Sequence, residues 1–169
     1  MRTDGFRGAT GASTIGLLTA TGAATTYDTT LTINFAIKGK GYRKTAITSG
    51  TTPTTGFTPA SPATAVTLTT LAASQGCVIV WSLNASGTVV IHQSAIKTLD
   101  SSNAFPEPDG IPDWPDIDLG TYCPFAYTVL KNGSTGSTFT IGSSNWNATG
   151  MTATTVNVMF GLPDRPQSS

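Results

Sequence analysis

Charge is the scarcest property of this chain. Only 11% of its 169 residues are Asp, Glu, Lys or Arg, against about 25% in an average globular protein. The nine cations and nine anions cancel, which argues against general nucleic-acid binding, a function that needs a basic face, and leaves phosphate contact only to the basic N-terminal part. Histidine occurs once, as His92, so a nucleophile triad or a histidine-ligated metal has a single residue to draw on. It follows Val89-Val90-Ile91 at the end of an apolar run, where a hydrogen-bonded or exposed imidazole is ordinary, and no catalytic role is expected of it. Ser94 nearby lacks a nucleophile-elbow context. Cysteine occurs twice. Cys77 and Cys123 both sit in apolar runs, which reads as two small buried hydrophobes, with a disulfide left open. No apolar run approaches the roughly 18 residues of a membrane span. No apolar stretch of the signal-peptide kind follows Arg2, so a soluble protein made in a cytoplasm is expected. A phosphate-cradling GxxxxGK loop is missing, as is any amphipathic helical pattern of ten or more residues.

What is abundant is threonine, 32 residues of the chain. A branched side chain of this kind suits an exposed pleated surface. A chain of this length is enough for one domain with a real core. The organising stretch is residues 75–91, QGCVIVWSLNASGTVVI. Two apolar, β-branched runs flank Asn84-Ala85-Ser86-Gly87, which predicts a hairpin. Val78, Val80 and Ser82 fall on one face, and Cys77, Ile79, Trp81 and Leu83 on the other. Both faces are largely apolar, so the strand is expected to be covered on both sides.

Residues 28–38 alternate, with Leu31, Ile33, Phe35 and Ile37 on one face of a half-buried strand. Gly39-Lys40-Gly41 is expected to turn the chain into an edge strand over 42–48 that carries Arg43 and Lys44. The prolines and glycines of 49–62 predict a loop, and residues 63–71 a strand. Prolines at 106, 108, 112 and 115 exclude helix and central strand from residues 97–120. That segment reads as a long structured loop anchored by Ile111 and Trp114. Residues 122–131 form a strand with Phe125, Tyr127 and Val129 on one face and Ala126, Thr128 and Leu130 on the other. Asn132-Gly133 opens a turn. Residues 137–141 read as a short strand, 142–150 as a loop holding Trp146, and 151–160 as the last strand. The expected fold is all-β, an antiparallel β-sandwich or barrel with an extended N-terminal arm over 1–27 and one domain over 28–167. The Gly- and Thr-rich arm has too little apolar content to order by itself.

Charge is unevenly placed. Residues 1–50 hold Arg2, Arg7, Lys38, Lys40, Arg43 and Lys44 against Asp4 and Asp28, whereas 100–118 hold Asp100, Glu107, Asp109, Asp113, Asp116 and Asp118 and no base. The acids lack the spacing of a calcium-binding loop and are separated by prolines, which favours a solvated or cation-paired loop. Trp81 reads as core. Trp114 and Trp146, in loops, read equally as anchors or interface residues. The candidate assembly contacts are therefore Arg2, Arg7, Lys40, Arg43, Lys44, Asp113, Trp114, Asp116 and Trp146. No catalytic residue, metal or cofactor is expected.

Four patches, in order, resemble a group of tailed-bacteriophage virion proteins that includes head-decoration or cement proteins. They are Gln75-Gly76-Cys77-Val78-Ile79-Val80-Trp81 with its 84–87 turn; Asp116-Ile117-Asp118 leading to Cys123-Pro124-Phe125-Ala126-Tyr127; Gly142-Ser143-Ser144-Asn145-Trp146 with Thr149-Gly150-Met151-Thr152; and Gly161-Leu162-Pro163-Asp164-Arg165-Pro166. The match spans about residues 64–167. It departs at Ala126, where Gly is expected; the alanine implies ordinary strand geometry there. The resemblance implies a non-enzymatic capsid decoration protein on the virion surface, assembled in the host cytoplasm. It implies contacts to the major capsid protein and to further copies of itself, most simply as a homotrimer, and none to nucleic acid or membrane. One alternative is a tail or fibre component that meets the host. Another is a virion-associated carbohydrate-active enzyme, which would need two carboxylates roughly 5–10 Å apart; apart from Asp4 and Asp164 near the two ends, only Asp28 and the 100–118 segment supply them.

Overall fold

Residues 75–84 decide the architecture, because a ten-residue strand with no charge and apolar side chains on both faces is stable only between two covers. The computed structural model of the chain describes residues 9–10, 15–17, 25–29, 31–57, 64–106 and 110–158. Among them there is no helix and there are thirteen strands. In chain order these are β1 (Ala9–Thr10), β2 (Ile15–Leu17), β3 (Thr26–Thr29), β4 (Ile33–Ile37), β5 (Lys40–Lys44), β6 (Gly50–Thr51) and β7 (Thr55–Phe57). Then come β8 (Ala65–Thr67), β9 (Gln75–Asn84), β10 (Val89–Gln93), β11 (Lys97–Thr98), β12 (Tyr122–Asn132) and β13 (Met151–Asn157).

The central sheet has the order β10-β9-β12-β13, all antiparallel, with β11 continuing the β10 edge against the start of β9. Smaller sheets β1-β4-β5, β2-β3-β6 and β7-β8 surround it. The β9–β10 hairpin forms as its sequence predicts. Asn84 Oδ1 accepts from the Ser86 and Thr88 amides (3.1 and 2.9 Å) and from the Ser86 hydroxyl (2.7 Å), and Gly87 takes the left-handed conformation, φ 75°.

Each face of the central sheet has its own core. On one face Cys77, Ile79, Trp81 and Leu83 of β9 and Leu130 of β12 meet Tyr27, Ile33, Phe35 and Ile37 from the β3 and β4 sheets. This is sheet-on-sheet packing, an antiparallel sandwich. Trp81 is fully buried, with Tyr27 at 5.0 Å between ring centroids, and its indole N–H donates to Thr128 Oγ1 at 2.9 Å. On the other face Val78, Val80, Tyr127 and Val129 lie under Leu99, Phe105, Ile111, Trp114 and Ile117. The proline-rich segment is thus the second cover. Its anchors are Ile111 and Trp114 as expected, with the Trp114 ring edge-on to Tyr127 at 4.9 Å.

Several expectations are corrected. Leu31 is 51% exposed and lies outside β4; the alternation becomes a strand only from Ile33. The chain turns at Lys38-Gly39, both at positive φ (50° and 75°), so that Lys40 already pairs with Ile37. The 49–62 loop contains β6 and β7, which are too short and polar to show a period. The described residues of 63–71 hold the three exposed residues of β8 and a single bridge from Leu71 to Phe139, which is also the one pairing within 137–141. Ordinary geometry around Ala126 is not found. The β9–β12 register shifts between Pro124 and Ala126, a bulge that puts Phe125 in the Trp81 core rather than with Tyr127 and Val129.

Two described pieces of the 1–27 segment, β1 and β2, pair with β4 and β3 of the same chain. Tyr27 is 4% exposed, so the folded core begins inside the segment read as an arm. The Gly161–Pro166 patch lies outside the described residues.

Candidate binding surface

The β4–β5 hairpin is the element that presents cations. It alternates because one face packs on the sandwich core: Ile33, Phe35 and Ile37 are buried, while Lys38, Lys40 and Arg43 are exposed and Lys44 is half-buried. Strand β5 is an edge strand, paired only to β4 within its sheet, and lysines on an edge discourage uncontrolled strand pairing. The Tyr42 ring stacks on Phe35 at 5.4 Å and lies under the Lys40 ammonium at 5.6 Å, a cation–π contact that holds Lys40 over the hairpin.

An open groove of about 680 Å³ runs between this hairpin and two turns of the central sheet. Its walls are Lys38, Lys40 and Tyr42 on one side and Asn84, Ser86 and Thr121 on the other. The 118–121 turn is tied by Asp118, whose Oδ1 accepts from the Gly120 amide (2.9 Å) and whose Oδ2 accepts from the Thr121 hydroxyl (2.6 Å). A methyl group placed on Gly120 would stand 3.0 Å from Asp118 Oδ1 and 3.2 Å from Lys38 Cε. Basic hairpin and acidic segment therefore meet at this turn within one chain. The same carboxylate raises the Tyr122 phenol, after burial, which is the larger cause.

The nine candidate contacts do not form one patch. Lys40, Arg43 and Lys44 share the β5 strand beside the groove. Asp113 and Asp116 are exposed on either side of half-buried Trp114, on the cover of the second face. Trp114 is thus an anchor with part of its ring outward. Trp146 is 3% exposed and packs on Trp81 and Phe139, at 6.4 and 5.6 Å, so it is core and not an assembly contact. Arg2 and Arg7 lie outside the described residues. Other acids of the 100–118 segment shape the chain: Asp100 Oδ1 accepts from the amides of Ser102 (2.8 Å) and Ala104 (2.9 Å). Among the described residues no group of three or more His, Cys, Asp or Glu side chains converges as a metal site would require. Glu107 and Asp109 lie outside that set.

Comparison of the chain with protein-family models, curated proteins and solved structures finds no match. The chemistry of the site therefore rests on its residues. Cys77 and Cys123 are free, buried thiols. They sit toward opposite ends of the β9–β12 pair, Cys77 across from Leu130 and Cys123 across from Leu83. Burial pushes the Cys77 thiol up to about 12 and raises Cys123 as well, so neither supplies a thiolate nucleophile at neutral pH.

Sequence reasoning missed the setting of His92. The structure keeps it within β10, 2% exposed, on the face it shares with its neighbour in register, Val80. It is buried rather than exposed, with the Tyr122 ring edge-on at 4.9 Å and the Phe57 backbone beside the imidazole. Burial lowers it to about 4, with the nearby Phe57 backbone opposing part of that shift. The one available signal was its place directly after three β-branched residues.

Proposed function

We propose that the protein is a non-enzymatic structural protein of a tailed-phage virion, a decoration protein that binds the major-capsid shell as a homotrimer. The observation that carries this reading is the β4–β5 edge hairpin, held on a buried apolar face, whose exposed Lys38 and Lys40 border an open groove and whose β5 strand also exposes Arg43. Such a surface suits docking against an acidic partner. Complementary charge there steers encounter and sets register more than it adds affinity. Repetition over three subunits multiplies a weak contact into firm attachment. The resemblance is compatible with this framework. Its first three patches fall on β9, on the 116–127 segment that enters β12, and on the Trp146 loop that enters β13, which are neighbours in one sheet.

The double variant Lys40→Glu with Arg43→Glu tests the reading. Both side chains are exposed, so the melting temperature should stay within a few degrees of wild type. Co-sedimentation with undecorated shells should fall by at least about tenfold, and binding by the wild type should weaken as salt is raised. Undiminished, salt-independent binding by the double variant would remove the hairpin from the interface. Labelling of intact particles on the tail alone would replace the decoration reading with a tail or fibre component.

A further inference from the structure

Strand β5 is open on the side away from β4. The β4–β5 hairpin closes through Lys38 and Gly39 alone, both at positive φ (50° and 75°), so that Ile37 and Lys40 face each other across the turn. In such a hairpin the residues flanking the turn exchange hydrogen bonds, and bonded and non-bonded pairs then alternate along the ladder. Ile37–Lys40, Phe35–Tyr42 and Ile33–Lys44 are the bonded pairs of this register. Gly41 and Arg43 fall between them, so their N–H and C=O groups point outward. Both residues are exposed, β5 is the last strand of its sheet, and among the described residues nothing bonds to either backbone on the open side. A methyl group built on Gly41 meets no atom within 4 Å. The groove of about 680 Å³ opens beside this strand, bordered across from it by Asn84, Ser86 and Thr121.

We propose that β5 takes up an extended acidic segment of a partner protein as an added antiparallel strand. The inference rests on the reading of the cationic hairpin as the docking surface, and not on the partner being a capsid shell. Side chains alternate along β5, so Lys40, Tyr42 and Lys44 share one face and Arg43 the other. A second copy of β5 would set these cations against themselves, and like charges placed opposite each other destabilise a pair. The edge is thereby closed to copies of itself and open to a strand of opposite charge. A nucleic-acid strand would meet the cations and the outward N–H groups, but its phosphates would leave both outward C=O groups unpaired beside negative charge. A peptide supplies a donor and an acceptor opposite both Gly41 and Arg43, about four hydrogen bonds in all. Antiparallel pairing is the more stable per residue, and its register dictates a sequence. Residues opposite Lys44, Arg43 and Lys40 should be acidic. The residue opposite Tyr42 should be apolar, and the one opposite Gly41 is unrestricted. Glu-Glu-Val-Thr-Glu meets this pattern.

The test titrates the full chain into a fluorescent peptide carrying Glu-Glu-Val-Thr-Glu between Gly-Ser flanks, at low salt, followed by anisotropy. Saturable binding is expected, with slowed hydrogen exchange at the Gly41 and Arg43 amides. N-methylation of the second Glu or of Thr removes an N–H aimed at β5 and should weaken binding about tenfold. N-methylation of Val, whose N–H points away from β5, should leave binding nearly unchanged. Gly41→Pro blocks the edge at a position with open space around it. It should keep the melting temperature and weaken the binding of peptide and of undecorated shells alike. The proposal is overturned if the peptide does not bind, if the three N-methyl positions have equal effects, or if oligothymidylate binds the edge more tightly than the peptide. Should shells bind Gly41→Pro as they bind wild type but not Lys40→Glu with Arg43→Glu, the hairpin docks without an added strand, and this inference alone fails. Should the peptide behave as expected while shells bind not even the wild type, the added strand stands and the decoration reading fails.

Discussion

The two faces of the central sheet are equally buried but covered in different ways. The Trp81 face is closed by other strands, whose backbone groups are paired within their own sheets. The Val80 face is closed by the 99–117 segment, whose described residues hold no strand and which docks through a few large side chains, Leu99, Phe105, Ile111, Trp114 and Ile117. Apolar area removed from water stabilises either arrangement in the same way. Cooperativity differs. A strand cover can leave only by breaking a sheet, whereas a cover held by separate anchors can open one anchor at a time. The second cover is therefore the less stable unit.

The largest effect is expected from Val80→Asp. Val80 is fully buried under that second cover, and an unpaired carboxylate there should cost more than about 4 kcal/mol. Loss of the folded circular-dichroism spectrum would be the readout. A wild-type-like melt would mean that the cover opens freely enough to hydrate the charge. On the opposite face Trp81→Ala removes an indole packed on Tyr27 and Trp146, together with its bond to Thr128. It should cost about 3–5 kcal/mol in denaturant unfolding. Deleting residues 1–27 takes Tyr27 from the same core, so a truncation that keeps the fold should stop before Thr25.

The pH dependence comes next in size and reports on the Val80 face. His92 is lowered to about 4 from an ordinary 6.5. Between those values the unfolded chain binds a proton that the folded chain refuses, so stability falls as pH drops through this window and is fully present above it. The full excursion is worth on the order of 3 kcal/mol. His92→Asn should flatten that part of a stability–pH curve. A curve unchanged by the substitution would show that the imidazole is hydrated. Trp114→Ala should be milder than Trp81→Ala, at about 1–2 kcal/mol, since half-buried Trp114 is one anchor of several. Equal costs for the two tryptophans would abolish the distinction between the covers. The smallest effect is a gain. Lys38 sits at φ 50° in the β4–β5 turn, a conformation that asparagine tolerates better, and Lys38→Asn should stabilise by about 0.5 kcal/mol.

Much of the first cover was legible in the sequence, and little of how it closes. Strands β4, β9, β10 and β12 announce themselves by alternation or by long β-branched runs, because their side chains meet a core at every second position. The two-faced burial of β9 follows from Val78 and Val80 opposite Ile79 and Trp81. The proline-rich segment identified itself as a loop with Ile111 and Trp114 as anchors, since proline excludes the alternatives. Strands β6, β7 and β8 were not legible: two or three residues carry no period, and their pairing depends on distant partners. Neither was the bulge at Phe125, because one extra residue reverses the face of everything before it without changing the composition. The cationic hairpin was found from Lys40, Arg43 and Lys44. Trp146 was misplaced as a candidate contact, and the setting of His92 was missed, because burial of a loop tryptophan or a strand-end histidine is decided by chain segments remote in sequence.

Residue-resolved native-state hydrogen exchange tests the comparison most directly. The account predicts that amides of β9, β12 and β4 exchange only through global unfolding, at one shared free energy and with the full denaturant dependence. Protected amides between Leu99 and Ile117 should exchange through a local opening, at lower free energy and with a small denaturant dependence. If those amides share the free energy and slope of the strands, the two covers form one cooperative unit and the account is contradicted.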